Sequence, residues 1–187
     1  MKKAKKQSNM FTIRFNTKLF KIDSWTILEL PMSASAKLPS RAMTTIEGKI
    51  NYFYFKTALE PNGKGGHWFR FNKSMQNETG LVAGDTVTLE IQSTKEWYEP
   101  EVPVDLKTAL KDVPKAHILW MDITAYARWD WIRWIRATKQ TQTRKRRIET
   151  AISKLKSGMR RPCCFNRNLC SVPYISNNGV LLDQHKI

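Results

Sequence analysis

Apolar and polar residues alternate with a period of two through the first half of the chain and with a longer, helical period through the second. Phe11-Thr-Ile-Arg-Phe15 alternates strictly, as a strand with one buried face does. Trp25-Thr-Ile-Leu-Glu-Leu30 reads the same way and stops at Pro31. Thr45–Phe55 is rich in β-branched and aromatic residues, with Gly48 and Asn51 breaking it into a bend or hairpin. Pro61-Asn-Gly-Lys-Gly-Gly66 is a turn cluster, and His67-Trp-Phe-Arg-Phe71 resumes the alternation. Lys73–Thr79 predicts a short helix ended by Gly80, and Thr86–Ile91 is the cleanest strand of the chain. Short strands with turn signals every 10–15 residues predict a small closed or nearly closed barrel.

The period changes near Pro103. Asp105 can cap Leu106–Lys111, and Pro114 suits the first turn of a helix running to Trp120. Thr124 precedes a helix from Ala125 to about Lys139. On a helical wheel Ala127, Trp131, Trp134 and Ile135 share the face expected to be core. Arg128, Arg133, Arg136 and Lys139 fall on the other side, with Tyr126 and Trp129 between, so Arg128 and Arg136 are expected to be exposed. Thr143 serves as N-cap for Arg144–Ser157, which buries Ile148, Ile152 and Leu155 and ends at Gly158. The two long helices are expected to pair antiparallel. The fold class is therefore α+β: a small N-terminal β-barrel followed by a C-terminal helical hairpin.

Composition adds constraints. Of the 187 residues 41% are hydrophobic and 11% aromatic, enough for a core, which excludes wholesale disorder. No apolar stretch approaches the length of a membrane span, and the basic start MKKAKKQSNMFTIRF lacks the apolar run of a signal peptide. Three cysteines, two of them adjacent, make no disulfide framework, so a reducing, cytoplasmic location is expected.

The formal charge of +16 is unevenly spread: residues 1–10 carry +4, residues 11–105 balance to zero, and residues 106–187 carry +12. That step separates units with different surfaces. The expected divisions are a basic, disordered tail over 1–10, a barrel over 11–103, a helical domain over 104–161 and an irregular tail over 162–187.

Two motifs and one charge cluster carry candidate chemistry. The cluster Arg128, Arg133, Arg136, Lys139, Arg144, Lys145, Arg146 and Arg147, with Trp129 available for stacking, fits the displacement of counterions from a polyanion such as DNA or RNA. The same arginines could instead pack their stems on tryptophan or reach the barrel's carboxylates. Asn62, Gly63, Lys64, Gly66 and His67 form the alternative site, a small-ligand or enzymatic loop. It lacks P-loop spacing, and glycines at positive φ explain its composition as well. Cys163, Cys164, Cys170 and His185 could hold zinc only with a spacing that structural zinc sites do not use, so free thiols are expected and neither a metal site nor a cofactor is assigned. The sequence contains neither a Gly-x-Ser-x-Gly nor a His-Glu-x-x-His pattern, and a non-catalytic binding protein is the favoured class. Its partners would be a nucleic acid or other polyanion, or a protein, a second copy included.

These residues also carry a resemblance. Gly48-Lys-Ile-Asn51, Leu59-Glu-Pro-Asn-Gly-Lys-Gly-Gly-His67 and Gly80-Leu-Val-Ala-Gly-Asp-Thr-Val87 resemble a bacterial barrel domain of unassigned function. Trp134-Ile135, Ala137-Thr-Lys139 and Thr143-Arg-Lys-Arg-Arg-Ile148 resemble the YdeI/OmpD-associated, or bacteriocin-protection, family, and Val102–Leu110 fits the exit from barrel to helices. Members carry a Pro-Arg pair before that exit, where this chain has Trp97-Tyr-Glu-Pro-Glu-Val-Pro103, and nothing after Arg161 matches the family. The resemblance implies a barrel of the double-split, AbrB-like class and a role in bacteriocin or stress resistance. It implies no reaction.

Overall fold

The computed structural model describes residues 12–183. The N-terminal tail, Phe11 and His185 lie outside the described residues. Six antiparallel strands close a barrel in the order β1-β2-β5-β4-β3-β6: β1 (Ile13–Ile22), β2 (Trp25–Glu29), β3 (Thr44–Ile50), β4 (Phe53–Pro61), β5 (His67–Arg70) and β6 (Thr86–Ser93). Such a closed barrel is consistent with the double-split class. It leaves no long strand edge unpaired. Inside it Leu19, Leu28, Ile46, Ile50, Leu59, Phe69 and Leu89 pack as one core. Two short helices decorate it, α1 (Met32–Ser35) and α2 (Lys73–Thr79). In α2 the Asn72 carboxamide accepts from the Met75 N–H, and Gly80 closes the helix at φ +69°.

Gly48 does not break its strand, contrary to expectation. It sits inside β3, where an added Cβ would lie 2.2 Å from the Glu90 carbonyl oxygen. The close approach of the paired strand β6 requires glycine there, and Asn51 at φ +53° makes the turn instead.

β1 is longer than its alternating segment because its second half is buried on both faces. Leu19 enters the barrel core, while its neighbour Phe20 points outward and is only 7% exposed. The same holds for the doublets Ile27-Leu28 and Trp68-Phe69. A third cluster covers that outer face: Phe20, Ile22, Ile27 and Trp68 of the barrel pack against Cys170, Val172, Ile175 and Leu181. The segment 160–183 is therefore a strap. It is mostly irregular, with one small hairpin of β7 (Ser176–Asn177) and β8 (Val180–Leu181), and it is docked on the barrel.

The helical unit holds the four helices that the sequence predicts: α3 (Val104–Lys111), α4 (Pro114–Asp122), α5 (Ala125–Arg136) and α6 (Thr141–Lys156), the last two being the long pair. Packing of α6 against α3, α4 and α5 buries Leu106, Leu110, Trp120, Trp131, Ile135, Ile148 and Leu155. Pro114 opens α4 and the Thr124 hydroxyl accepts from the Ala127 N–H, as the sequence predicts. The last helix begins two residues earlier than its expected cap: Gln140 is the N-cap and Thr143 lies in the first turn. Gly158, at φ +93°, follows its C-terminus. Trp131 and Ile135 are buried, whereas Trp134 is only half-buried, its ring meeting Trp131 edge-on and the Arg147 guanidinium at 5.5 Å.

Candidate functional site

The wheel reading of α5 fails on its cationic side. Arg133 is fully buried, and Arg128 and Arg136 are half-buried. A helical wheel assumes water opposite the core, but here the strap runs along that side and supplies acceptors. Arg133 donates to the carbonyls of Arg167 (3.3 Å) and Leu169 (2.8 Å) and to the Ser171 hydroxyl (3.3 Å). Arg136 donates to Ser171 Oγ and to the carboxylate of Glu60 at the end of β4. Glu60 lies 3.8 Å from Arg133 as well. Burial opposes the Arg133 charge, and the Glu60 carboxylate is its strongest support. Barrel, strap and α5 thus meet at one charged node.

A second node lies one turn earlier on α5. The Asp130 carboxylate is fully buried, with Oδ2 accepting from Arg167 Nε (3.1 Å) and lying 3.6 Å from Arg161. Its Oδ1 has no hydrogen-bond partner among the described residues. Burial pushes the Asp130 carboxyl above the usual carboxylate range, against the pull of Arg167, Arg161 and Arg133. Arg161 and Arg167 also stand over the Tyr126 ring, whose face stacks on Trp97 at 4.3 Å.

Other members of the expected polyanion cluster are tied down too. Arg128 forks onto the Glu99 carboxylate and donates to the carbonyls of Trp120 (3.0 Å) and Ile123 (2.6 Å), satisfying the end of α4. Arg144 makes a two-point contact with Asp105 (2.7 and 3.0 Å), which holds that carboxyl below its ordinary range. Arg147 donates to the Trp134 carbonyl at 2.7 Å. The indole N–H of Trp129 donates to the Tyr98 carbonyl at 2.6 Å. Lys139, Lys145 and Arg146 are different: all three are exposed, with no carboxylate within ion-pair distance among the described residues.

The loop 61–67 is organised around Asn62. Its buried carboxamide oxygen accepts from the N–H groups of Lys64 (2.8 Å) and Gly66 (2.9 Å), and its Nδ2 donates to Glu29 (2.6 Å). Those amides face their own loop. Gly63 and Gly65 have positive φ, and at Gly63 a Cβ would lie 2.5 Å from the carbonyl oxygen of Gly179 in the strap. His67 is fully buried, its Nε2 is 3.1 Å from the Ala42 carbonyl, and burial lowers its pKa, so it is neutral at pH 7. Lys64 borders a hollow of about 320 Å³ with Met32, Leu38, Pro39, Ser40 and Arg41. The three cysteines are free thiols, Cys163 and Cys164 exposed and Cys170 buried, and no group of metal-binding side chains forms among the described residues.

Sequence reasoning did not find Glu60, Asp130 and Arg167 as parts of this network. The available signal was the run of apolar doublets on β1, β2 and β5, which announces a second covered barrel face and hence a covering segment.

Among the described residues no helix is long and apolar enough to cross a membrane. No curated protein matches the chain. Residues 14–91, the closed barrel, match the model of a domain of unknown function (DUF1905), and residues 99–158, which span α3 to α6, match that of the bacteriocin-protection, YdeI or OmpD-associated family. The chain thus carries two matched domains in order, a DUF1905 barrel followed by a helical domain similar to the bacteriocin-protection, YdeI or OmpD-associated family.

Proposed function

We propose that the protein is a non-catalytic binding protein whose helical unit contacts a polyanion, DNA or RNA, through the outer face of α6 and the loop before it. The observation that carries this reading is the surplus of unpaired cations there. Residues 104–183 hold sixteen Lys and Arg. Seven of them, Arg128, Arg133, Arg136, Arg144, Arg160, Arg161 and Arg167, lie within ion-pair distance of carboxylates, which leaves nine. Against those nine stand three acids with no ion pair among the described residues, Asp112, Glu149 and Asp183. Lys139, Lys145 and Arg146 lead the set because they are exposed and lie close together in sequence. Arg128, Arg133 and Arg136 are better read as the frame that holds the surface in place. A cytoplasmic setting suits such a partner.

Phosphate contacts release counterions, so about three of them give log K a slope against log salt near −2 to −3, depending on strandedness. Fluorescence anisotropy with mixed-sequence duplex DNA and with RNA measures that slope. Replacing Lys139, Lys145 and Arg146 with Glu should flatten it and weaken binding for every sequence alike, because such contacts read no bases. Replacing the barrel cations Lys18, Lys37 and Lys64 should change it little. Loss of binding in the barrel variant with retention in the helical one would overturn the assignment, as would absence of binding to either nucleic acid at low salt.

A further inference from the structure

One concavity on the barrel is bordered by cations and hydroxyls and by no acid. It is the hollow of about 320 Å³ between residues 32–41, which begin with α1, and the loop that carries Lys64 and Gly65. Arg41 on one wall and Lys64 on the other are exposed, and neither has a carboxylate within ion-pair distance among the described residues. Residues 30–46 contain Lys37 and Arg41 and not one acid. Two like charges bordering one concavity without a counter-charge make it a focus of positive potential.

The hydroxyls beside it are set to donate. Ser35 is only 3% exposed, and its Oγ accepts from the backbone N–H of His67 at 3.2 Å. Ser40 Oγ accepts from the Ala42 N–H at 3.0 Å. An amide thus engages a lone pair of each oxygen, and among the described residues no acceptor takes either hydroxyl hydrogen. A buried hydroxyl calls for a partner, and the hollow that Ser35 borders has room for one. The walls are also fixed to one another. Asn62 accepts from the N–H groups of Lys64 and Gly66 and donates to Glu29, while the His67 ring is tied to the Ala42 carbonyl. Met32, Leu38 and Pro39 make the rest of the lining apolar.

We propose that this hollow binds a small organic oxyanion, a carboxylate or phosphate monoester carried on an apolar body. Ser35 and Ser40 donate to the anion's oxygens, Arg41 and Lys64 balance its charge, and Met32, Leu38 and Pro39 pack against the body. Asn62 and His67 act as positioning residues that hold the walls apart and do not touch the ligand. A metal ion or an amine would meet two positive charges and no carboxylate, so the site selects for anions. The volume is at the lower end of the range that small-molecule sites occupy. This site shares no residue with the exposed cations of α6 and stands independently of the polyanion reading.

The test is titration of the full chain with phenyl phosphate, with benzoate and, as a neutral control, with benzyl alcohol, followed by amide NMR. Saturable binding of phenyl phosphate or benzoate is expected and none of benzyl alcohol, and the two anion arms tell which oxyanion the hollow prefers. The buried His67 amide should shift on binding, because its acceptor Ser35 is polarised once the hydroxyl hydrogen is donated to the anion. Arg41→Met and Lys64→Met should each weaken binding several-fold, and Ser35→Ala should remove the His67 response. Circular dichroism confirms the fold of each variant, and the two exposed positions keep the test decisive should Ser35→Ala fail to fold. Replacing Lys139, Lys145 and Arg146 with Glu should leave the affinity unchanged, which separates a failure here from a failure of the polyanion reading. Affinity unaltered in both Arg41→Met and Lys64→Met, shifts confined to α6, or no saturable binding of either anion would overturn the proposal.

Discussion

The barrel and the helical unit handle charge in opposite ways. On the open side of the barrel the outward residues of neighbouring strands lie in register. Tyr54 faces Lys49, Lys49 faces Glu90 and Glu90 faces Arg14, so a cation meets a carboxylate one strand away and both stay in water. In the helical unit the arginines instead travel inward and across the chain, to Glu60 seventy-odd residues away and to carbonyls of the strap. A carbonyl accepts a guanidinium's hydrogen bonds without cancelling its charge. The contrast teaches that a run of arginine in sequence measures demand for donors as much as it measures a surface field. Guanidinium, with five donors in a rigid fork, suits that structural work better than lysine does. The lysines of the same unit stay outside.

The contrast breaks most decisively at Arg133. Replacing it with Met keeps much of its length but strips the carbonyls of Arg167 and Leu169 of their donor, leaves Ser171 to Arg136 alone and weakens the compensation at Glu60. The expected cost is about 3–5 kcal/mol, read from urea unfolding, because removal of one partner leaves buried groups uncompensated. A cost under about 1 kcal/mol would mean that water fills the node and that the helical unit resembles the barrel after all.

A middle-sized effect separates the buried carboxylate from the exposed one by its sign with pH. Asp130 is held above its ordinary value, so the folded state favours the protonated form. That contribution is fully present below the ordinary carboxylate value and is lost as pH rises through the folded one. Asp105 is held low by Arg144, so its contribution is present above the ordinary value and is lost as pH falls through the folded one. The stability difference between the parent and Asp130→Asn should therefore grow in the parent's favour as pH drops from neutral towards the carboxylate range. The corresponding difference for Arg144→Met should shrink over the acid limb. A pH-independent difference for Asp130→Asn would remove the buried-charge description of that node.

The smallest expected effect sharpens the boundary within α6. Arg144→Met should cost a few tenths of a kcal/mol, since its partner Asp105 is half in water. Lys145→Met, one residue along, should leave stability within about 0.5 kcal/mol of the parent. Thermal midpoints of the two variants check the pair. A larger loss at Lys145 than at Arg144 would place the structural and the free cations the wrong way round.

Much of this architecture is legible in residue order, and the reasons differ by element. Thr86–Ile91, Lys73–Gly80, Pro114 and Thr124 read correctly because their signals are local: alternation, a glycine C-cap, a proline at N1 and a hydroxyl N-cap. Gly48 reads wrongly because a neighbouring strand, not its own conformation, demands the missing Cβ. Arg133 and Arg136 read wrongly because a segment some thirty-five residues downstream replaces the water that the wheel assumes. The site's composition was visible, while its division into buried frame and exposed surface depends on contacts that no local window contains.

The strap has a consequence for the order of events in folding. Phe20, Ile27 and Trp68 complete the barrel's outer face only when Val172, Ile175 and Leu181 arrive, about a hundred residues after Trp68 has been made. During synthesis at some 5–20 residues per second, that leaves an apolar patch uncovered for several seconds while the helices are still emerging. Closing so long a loop is entropically slow, and the patch is meanwhile available to any other apolar surface in reach. The strap, last in residue order, is thus the element whose arrival closes the barrel's outer face.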